Sequence, residues 1–142
     1  MKHKVKDAWN IAEGMYGGHR IIVRQNVGAR PIAGNGHYPF RAGIAIPFRS
    51  PQKDGTPSKY DITILERIED LIYDYFDTGH TGVLCLVLTT QGMREFIVYS
   101  TTDDIADLTG SLSQHFRQYD IQHYAEPDKD WDVFKQWDSQ NA

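Results

Sequence analysis

The stretch Val83-Leu84-Cys85-Leu86-Val87-Leu88-Thr89-Thr90-Gln91-Gly92-Met93-Arg94-Glu95-Phe96-Ile97-Val98-Tyr99-Ser100 decides the fold. Its first six residues are apolar without alternation and are bounded by Gly82 and by Thr89-Thr90. A short unbroken run of this kind reads as a central strand covered on both faces. Gln91-Gly92 is a tight turn, and Met93 to Ser100 is the hairpin partner.

On either side of this hairpin the apolar period lengthens to that of a helix. Before it, Ile64, Leu65, Ile68, Leu71, Ile72, Tyr75 and Phe76 fall on one stripe of a helix over 61–77. Glu66, Glu69, Asp70, Asp74 and Asp77 mostly fill the other side. Ser58-Lys59-Tyr60-Asp61 has the spacing of a capping box, and Gly79 marks the end. After the hairpin, Thr101-Thr102-Asp103-Asp104 repeats the cap signature ahead of a helix over 103–119. Ile105, Leu108, Leu112, Phe116 and Tyr119 form its stripe, with acids at its start and His115 and Arg117 near its end, as the helix dipole favours.

Further out lie more strands. Residues 38–48 alternate cleanly, with Tyr38, Phe40, Ala42, Ile44, Ile46 and Phe48 on one face; Pro39 and Pro47 suggest an edge strand or frayed ends. Residues 7–13 and 19–27 read as strands around the turn Gly14-Met15-Tyr16-Gly17-Gly18. A Gly/Pro/Asn loop covers 28–36, a polar connector covers 50–57, and 121–126 is a last short strand before a helical or irregular tail. The order is β-β-β-α-β-β-α-β. From residue 38 onward this is the split βαβ repeat (β-α-β-β-α-β) of ferredoxin-like α+β folds, an antiparallel sheet with two helices on one face, here with an extra N-terminal hairpin. One domain over 1–142 is expected, with 128–142 as a C-terminal tail packing on or near it.

Composition narrows the functional classes. Hydrophobic content of 40% and charge of 24% are those of a globular chain and argue against disorder. The single cysteine, Cys85, excludes an internal disulfide. The basic start Met1-Lys2-His3-Lys4-Val5-Lys6 has no apolar stretch behind it, so it is not read as a secretory signal, and Val83 to Leu88 is too short to span a bilayer. A cytoplasmic protein without membrane attachment is expected. The charge is split along the chain: residues 1–60 hold ten Lys and Arg against Asp7, Glu13 and Asp54, whereas residues 61–142 hold five bases against sixteen acids. Such a split fits an anionic partner, or two halves that complement each other.

Some stretches also carry a resemblance. Trp9…Glu13-Gly14-Met15-Tyr16-Gly17-Gly18, then Ile21-Ile22-Val23-Arg24-Gln25-Asn26, and the end from Tyr124 to Trp137 with Asp130-Trp131-Asp132-Val133-Phe134, resemble a bacterial family known as domain of unknown function 695. The end is also similar to that of type B ribonuclease E regulators. This likeness implies an acidic ferredoxin-like fold without a catalytic site.

No motif for chemistry emerges. The six histidines, His3, His19, His37, His80, His115 and His123, show no metal-ligand spacing, and no cofactor is expected. Cys85 sits in the most apolar strand, where a desolvated thiol is inert. No GxSxG elbow surrounds any serine. The glycines at 14–18 and 34–36 precede strands, not the helix N-terminus that a phosphate cradle uses. The helix carboxylates read as a solvated face that could dock a basic partner. Arg20 and Arg24 share a strand face, and Arg41 lies on the polar face of another strand. If helices cover only one side of the sheet, all three project from the open side, a surface that binds single-stranded RNA in some ferredoxin-like folds. The alternative is that they pair with the acids of the second half. Trp131 and Trp137 in the tail serve as core or as a partner anchor. Arg20, Arg24, Arg41, Trp131 and Trp137 are therefore the candidate interaction surface. The expected function is a non-catalytic interaction or regulatory domain with a protein partner or a second copy, ahead of nucleic-acid binding and of an enzyme with a site assembled across the sheet.

Overall fold

The computed structural model describes residues 5–138; Lys2, His3, Lys4 and Ser139 lie outside them. The elements in chain order are β1 (Trp9–Tyr16), β2 (His19–Asn26), a 3-10 turn at Val27–Ile32, β3 (Phe40–Pro47), α1 (Lys59–Gly79), β4 (Gly82–Thr90), β5 (Met93–Ser100), α2 (Ala106–His115), β6 (Gln122–Pro127) and α3 (Asp132–Gln136). The strands form one six-stranded sheet of order β1-β2-β4-β5-β3-β6, antiparallel at every junction. The chain is thus α+β. Because β3 and β4 both pair antiparallel with β5, they run parallel to each other with β5 between them.

The unbroken apolar run 83–88 lies within β4, between β2 and β5. Both of its faces are covered, which is why the run shows no alternation, and a bulge within it changes which residue faces which core. Pairing with β5 jumps from Leu84↔Val98 to Leu86↔Ile97, which leaves Cys85 as an extra residue. Leu84 and Val87 therefore join one core, whereas Cys85 and Leu86 join the other.

The first core lies under the helices. Ala42, Ile44 and Ile46 of β3 and Phe96 and Val98 of β5 meet Leu65, Ile68, Ile72 and Phe76 of α1 and Leu108 and Leu112 of α2. The second core occupies the opposite face. Ile21 and Val23 of β2 and Ile97 and Tyr99 of β5 are covered there by Ala29 and Ile32 of the 3-10 turn and by Trp131 and Phe134 of the tail. The expected open side of the sheet is therefore covered. Ile97 and Tyr99 are buried by the chain's own C-terminal segment.

Several boundaries differ from expectation for physical reasons. Gly14, Met15 and Tyr16 belong to β1, because Gly17 and Gly18 alone supply the left-handed turn, with φ of 59° and 82°. The expected loop at 28–36 begins as a 3-10 turn. β3 is an interior strand, not an edge; Pro39 precedes it and Pro47 ends it, where a missing donor does little harm. Helix α1 is capped as its sequence indicates, with Ser58 Oγ accepting from Asp61 N at 3.3 Å. Its left-handed terminal residue is His80 instead of Gly79. Helix α2 is shorter than 103–119. Thr102 and Asp104 close turns before it, and Phe116 leaves helical geometry to enter the core.

Candidate interaction surfaces

The arginines do not share one open face. Arg24 alternates with the buried Ile21 and Val23 and so lies on the α1 side of the sheet, where Nη1 and Nη2 donate to the two Glu69 carboxylate oxygens at 2.8 and 2.9 Å. Its guanidinium also lies 5.0 Å from the centre of the Trp9 ring. Arg20, on the same face of β2, donates to Glu13 at 3.0 Å and to Asp54 at 2.6 Å. Arg41 lies on the opposite side. Its guanidinium donates to Asp128 at 2.9 Å and to Glu126. Arg30 makes a fourth such contact, with Asp138, at 2.7 and 3.0 Å. Three of these four arginines thus pair with acids of the second half of the chain. The reason they do not act as a group is register: the apolar residues of β2 face the tail, so its arginines face the helices.

Asp128 anchors the tail. It is almost fully buried and accepts from Arg41, from Tyr99 Oη at 2.7 Å, and from the backbone N–H groups of Asp132 and Val133 at 2.8 and 3.3 Å. Burial works against its charge, but the donors from Tyr99, Asp132 N and Arg41 prevail and hold the carboxyl below its usual range. Trp131 is fully buried, stacked on Tyr99 with ring centres 4.1 Å apart, and its Nε1 donates to the Tyr38 carbonyl at 2.9 Å. Trp137 is only half-buried and lies 5.4 Å from the Tyr16 ring. One tryptophan of the pair is therefore core, and the other borders solvent.

Two of the concave surfaces combine apolar or aromatic walls with carboxylates. The larger is a groove of about 840 Å³ between α1 and α2. The buried Leu108, Leu112 and Phe116 form its floor, Leu71 and Tyr75 its wall, and Asp70, Asp74 and Asp107 its rim. Arg67 lies over the Phe116 ring at 5.2 Å. No ion pair among the described residues holds the three rim carboxylates. Leu71 and Tyr75 were expected in the core stripe of the helix but are 42% and 41% exposed. The signal was present in the sequence, since seven apolar residues make a wider stripe than a helix needs to face one sheet.

The smaller surface, about 280 Å³, lies between the tail and the sheet. Tyr16, Arg41, Glu95, Tyr124 and Trp137 surround it above a floor that includes Ile21 and Leu88. Tyr124 Oη donates to Glu95. Burial first, and that carboxylate second, push the Tyr124 phenol up. Of these residues, Tyr16, Glu95 and Tyr124 carried no signal in sequence, because β1, β5 and β6 meet here only through the sheet order.

Cys85 is buried, its Sγ 3.2 Å from the Val83 carbonyl, and burial pushes its thiol well up. Among the described residues no three His, Cys, Asp or Glu side chains gather as a metal site. No helix is long and apolar enough to cross a membrane. No curated protein and no solved structure matches the chain significantly. A family model does match: residues 7–137 fit the Family of unknown function (DUF695), and the chain belongs to that family.

Proposed function

We propose that the chain is a non-catalytic interaction domain, ferredoxin-like from β3 to β6, that presents its α1–α2 face to a cationic, amphipathic segment of a protein partner in the cytoplasm. The observation that carries this reading is the pairing of apolar wall and acidic rim in the groove between the helices. The three arginines that would make a nucleic-acid face, Arg20, Arg24 and Arg41, already meet carboxylates, as does Arg30. The acids of the groove are not engaged in this way, so charge complementarity selects a basic partner over a nucleic acid. From Arg67 to Thr78 the groove follows about three turns of α1, the length of a short helix laid in a groove.

A fluorescent, Lys-faced amphipathic peptide and its Glu-faced counterpart test this by anisotropy. The Lys-faced peptide binds, more weakly as salt rises, and Asp70→Lys with Asp74→Lys abolishes binding. Equal binding of both peptides refutes the reading. Salt-steep binding of an oligonucleotide, lost in Arg24→Ala or Arg41→Ala, replaces it with the nucleic-acid alternative.

A further inference from the structure

The cleft between tail and sheet has a chemistry of its own, independent of the helix groove. Three aromatic rings, those of Tyr16, Tyr124 and Trp137, border it together with the carboxylate of Glu95. Tyr16 and Trp137 make one wall, with ring planes tilted by 52°. Tyr124 makes another. Its ring lies directly on the backbone of Gly43, where an added Cβ would fall 2.2 Å from Cε1. Glycine at this position lets the ring rest on the sheet, and the side chain still leaves Tyr124 37% exposed.

The charges around the cleft decide which ligand it suits. Arg41 reaches it, 6.0 Å from the centre of the Tyr124 ring, but Asp128 and Glu126 already hold its guanidinium. Glu95 meets the neutral hydroxyl of Tyr124 and no basic side chain among the described residues. One guanidinium thus stands against three carboxylates. An anion would find no free cation here. A neutral ligand would cover Glu95 without compensating its charge. A cation gains from the carboxylate and from the negative faces of the rings at once. The volume of about 280 Å³ is at the small end for ligand sites and limits the occupant to a compact group.

We infer that this cleft binds a small organic ammonium group, such as a methylated amine, seated between Tyr16, Trp137 and Tyr124 with its charge against Glu95. The same head group occurs in free quaternary amines and on a trimethylated lysine side chain, so the experiment uses both. Choline and a short trimethyllysine peptide are titrated into the protein, with the neutral carbon isostere of choline as control, and the three indole N–H resonances are followed by NMR. Saturable shifts are expected at Trp137 and not at Trp9 or Trp131. The isostere should bind about tenfold more weakly than choline, and Glu95→Gln, which keeps an acceptor for Tyr124, should erase that difference. Tighter binding of the peptide or of choline assigns the source of the ammonium group. Equal affinity for choline and its isostere, an unchanged preference in Glu95→Gln, or no saturation with either cation up to about 50 mM overturns the assignment.

Discussion

Replacing Asp128 tests the link between charge pairing and the covered second face. Its carboxylate is 4% exposed and accepts four hydrogen bonds, two from side chains (Arg41 and Tyr99) and two from the backbone at the start of α3. Removing one partner of a buried ion pair costs ~3–5 kcal/mol, because the remaining charge is left without compensation. Asp128→Ala should fall in that range. Asp128→Asn should cost somewhat less, since one amide oxygen can still accept while its NH2 faces the donors that Oδ2 served. Against a total stability of ~5–15 kcal/mol, either loss is readily measured. Urea unfolding followed by tryptophan fluorescence reads it, since Trp131 reports the tail directly. The pH dependence has a defined sign. The folded carboxyl lies below its unfolded value of about 3.9, so its stabilisation is complete above that pH and is lost as the pH falls through the folded value. The gap between wild type and Asp128→Asn should therefore narrow from pH 4 towards pH 2. A loss under ~1 kcal/mol at pH 7, or a gap that does not narrow in acid, would refute the assignment of Asp128 as the anchor of the tail.

Four further outcomes follow from single contacts. Tyr119→Phe removes the 2.5 Å hydrogen bond to the buried Asp61, which closes the β3–α1 connector through Arg49 N and Ser50 N, and should cost ~1–2 kcal/mol in urea unfolding. Gly43→Ala forces the Tyr124 ring off the sheet, with an expected loss of ~1–3 kcal/mol and, by NMR, a displaced Tyr124 ring resonance. Trp131→Ala removes a fully buried ring and should cost ~3–5 kcal/mol, whereas Trp137→Ala, half-buried at the rim, should cost much less in the same titration. Cys85 should resist thiol reagents in the folded protein and react fully in denaturant, as burial keeps its thiol protonated.

What the sequence revealed follows the reach of each signal. The hairpin at 83–100 and the stripes of α1 and α2 are local patterns, and each appears where its period indicated, with α2 trimmed at both ends. The side of the sheet to which β2 turns its apolar residues is not a local property. Ile21 and Val23 look the same in sequence whether they face the helices or the tail. Their side is set by pairing of Val23 with Leu88, and the side of Leu88 by its pairing with Glu95 of β5. Along β5, which carries no bulge, Phe96 and Tyr99 face opposite ways. Arg24, in line with Val87 and Phe96, therefore meets Glu69 of α1, while Arg41, three strands farther along the sheet and in line with Tyr99, meets Asp128 on the reverse side. The tail was visible only as a pair of tryptophans. Its role as the second cover required knowing that Tyr99 points away from the helices, where its hydroxyl and Trp131 converge.

The same reasoning turns the charge asymmetry around. Counted along the chain, ten bases in the first sixty residues point to an anionic partner. Placed on the sheet, Arg24, Arg30 and Arg41 each meet a carboxylate of the second half, and each pair joins segments 45 or more residues apart. Ion pairs this far apart in sequence form only once the sheet has brought the segments together, so folding itself engages these three arginines of the basic half. Asp70, Asp74 and Asp107 beside the groove and Glu95 in the cleft are among the acids that no ion pair of the described residues holds. Both surfaces therefore favour cationic groups, the groove a helical segment and the cleft a compact ammonium, because each combines an unmatched carboxylate with apolar or aromatic cover.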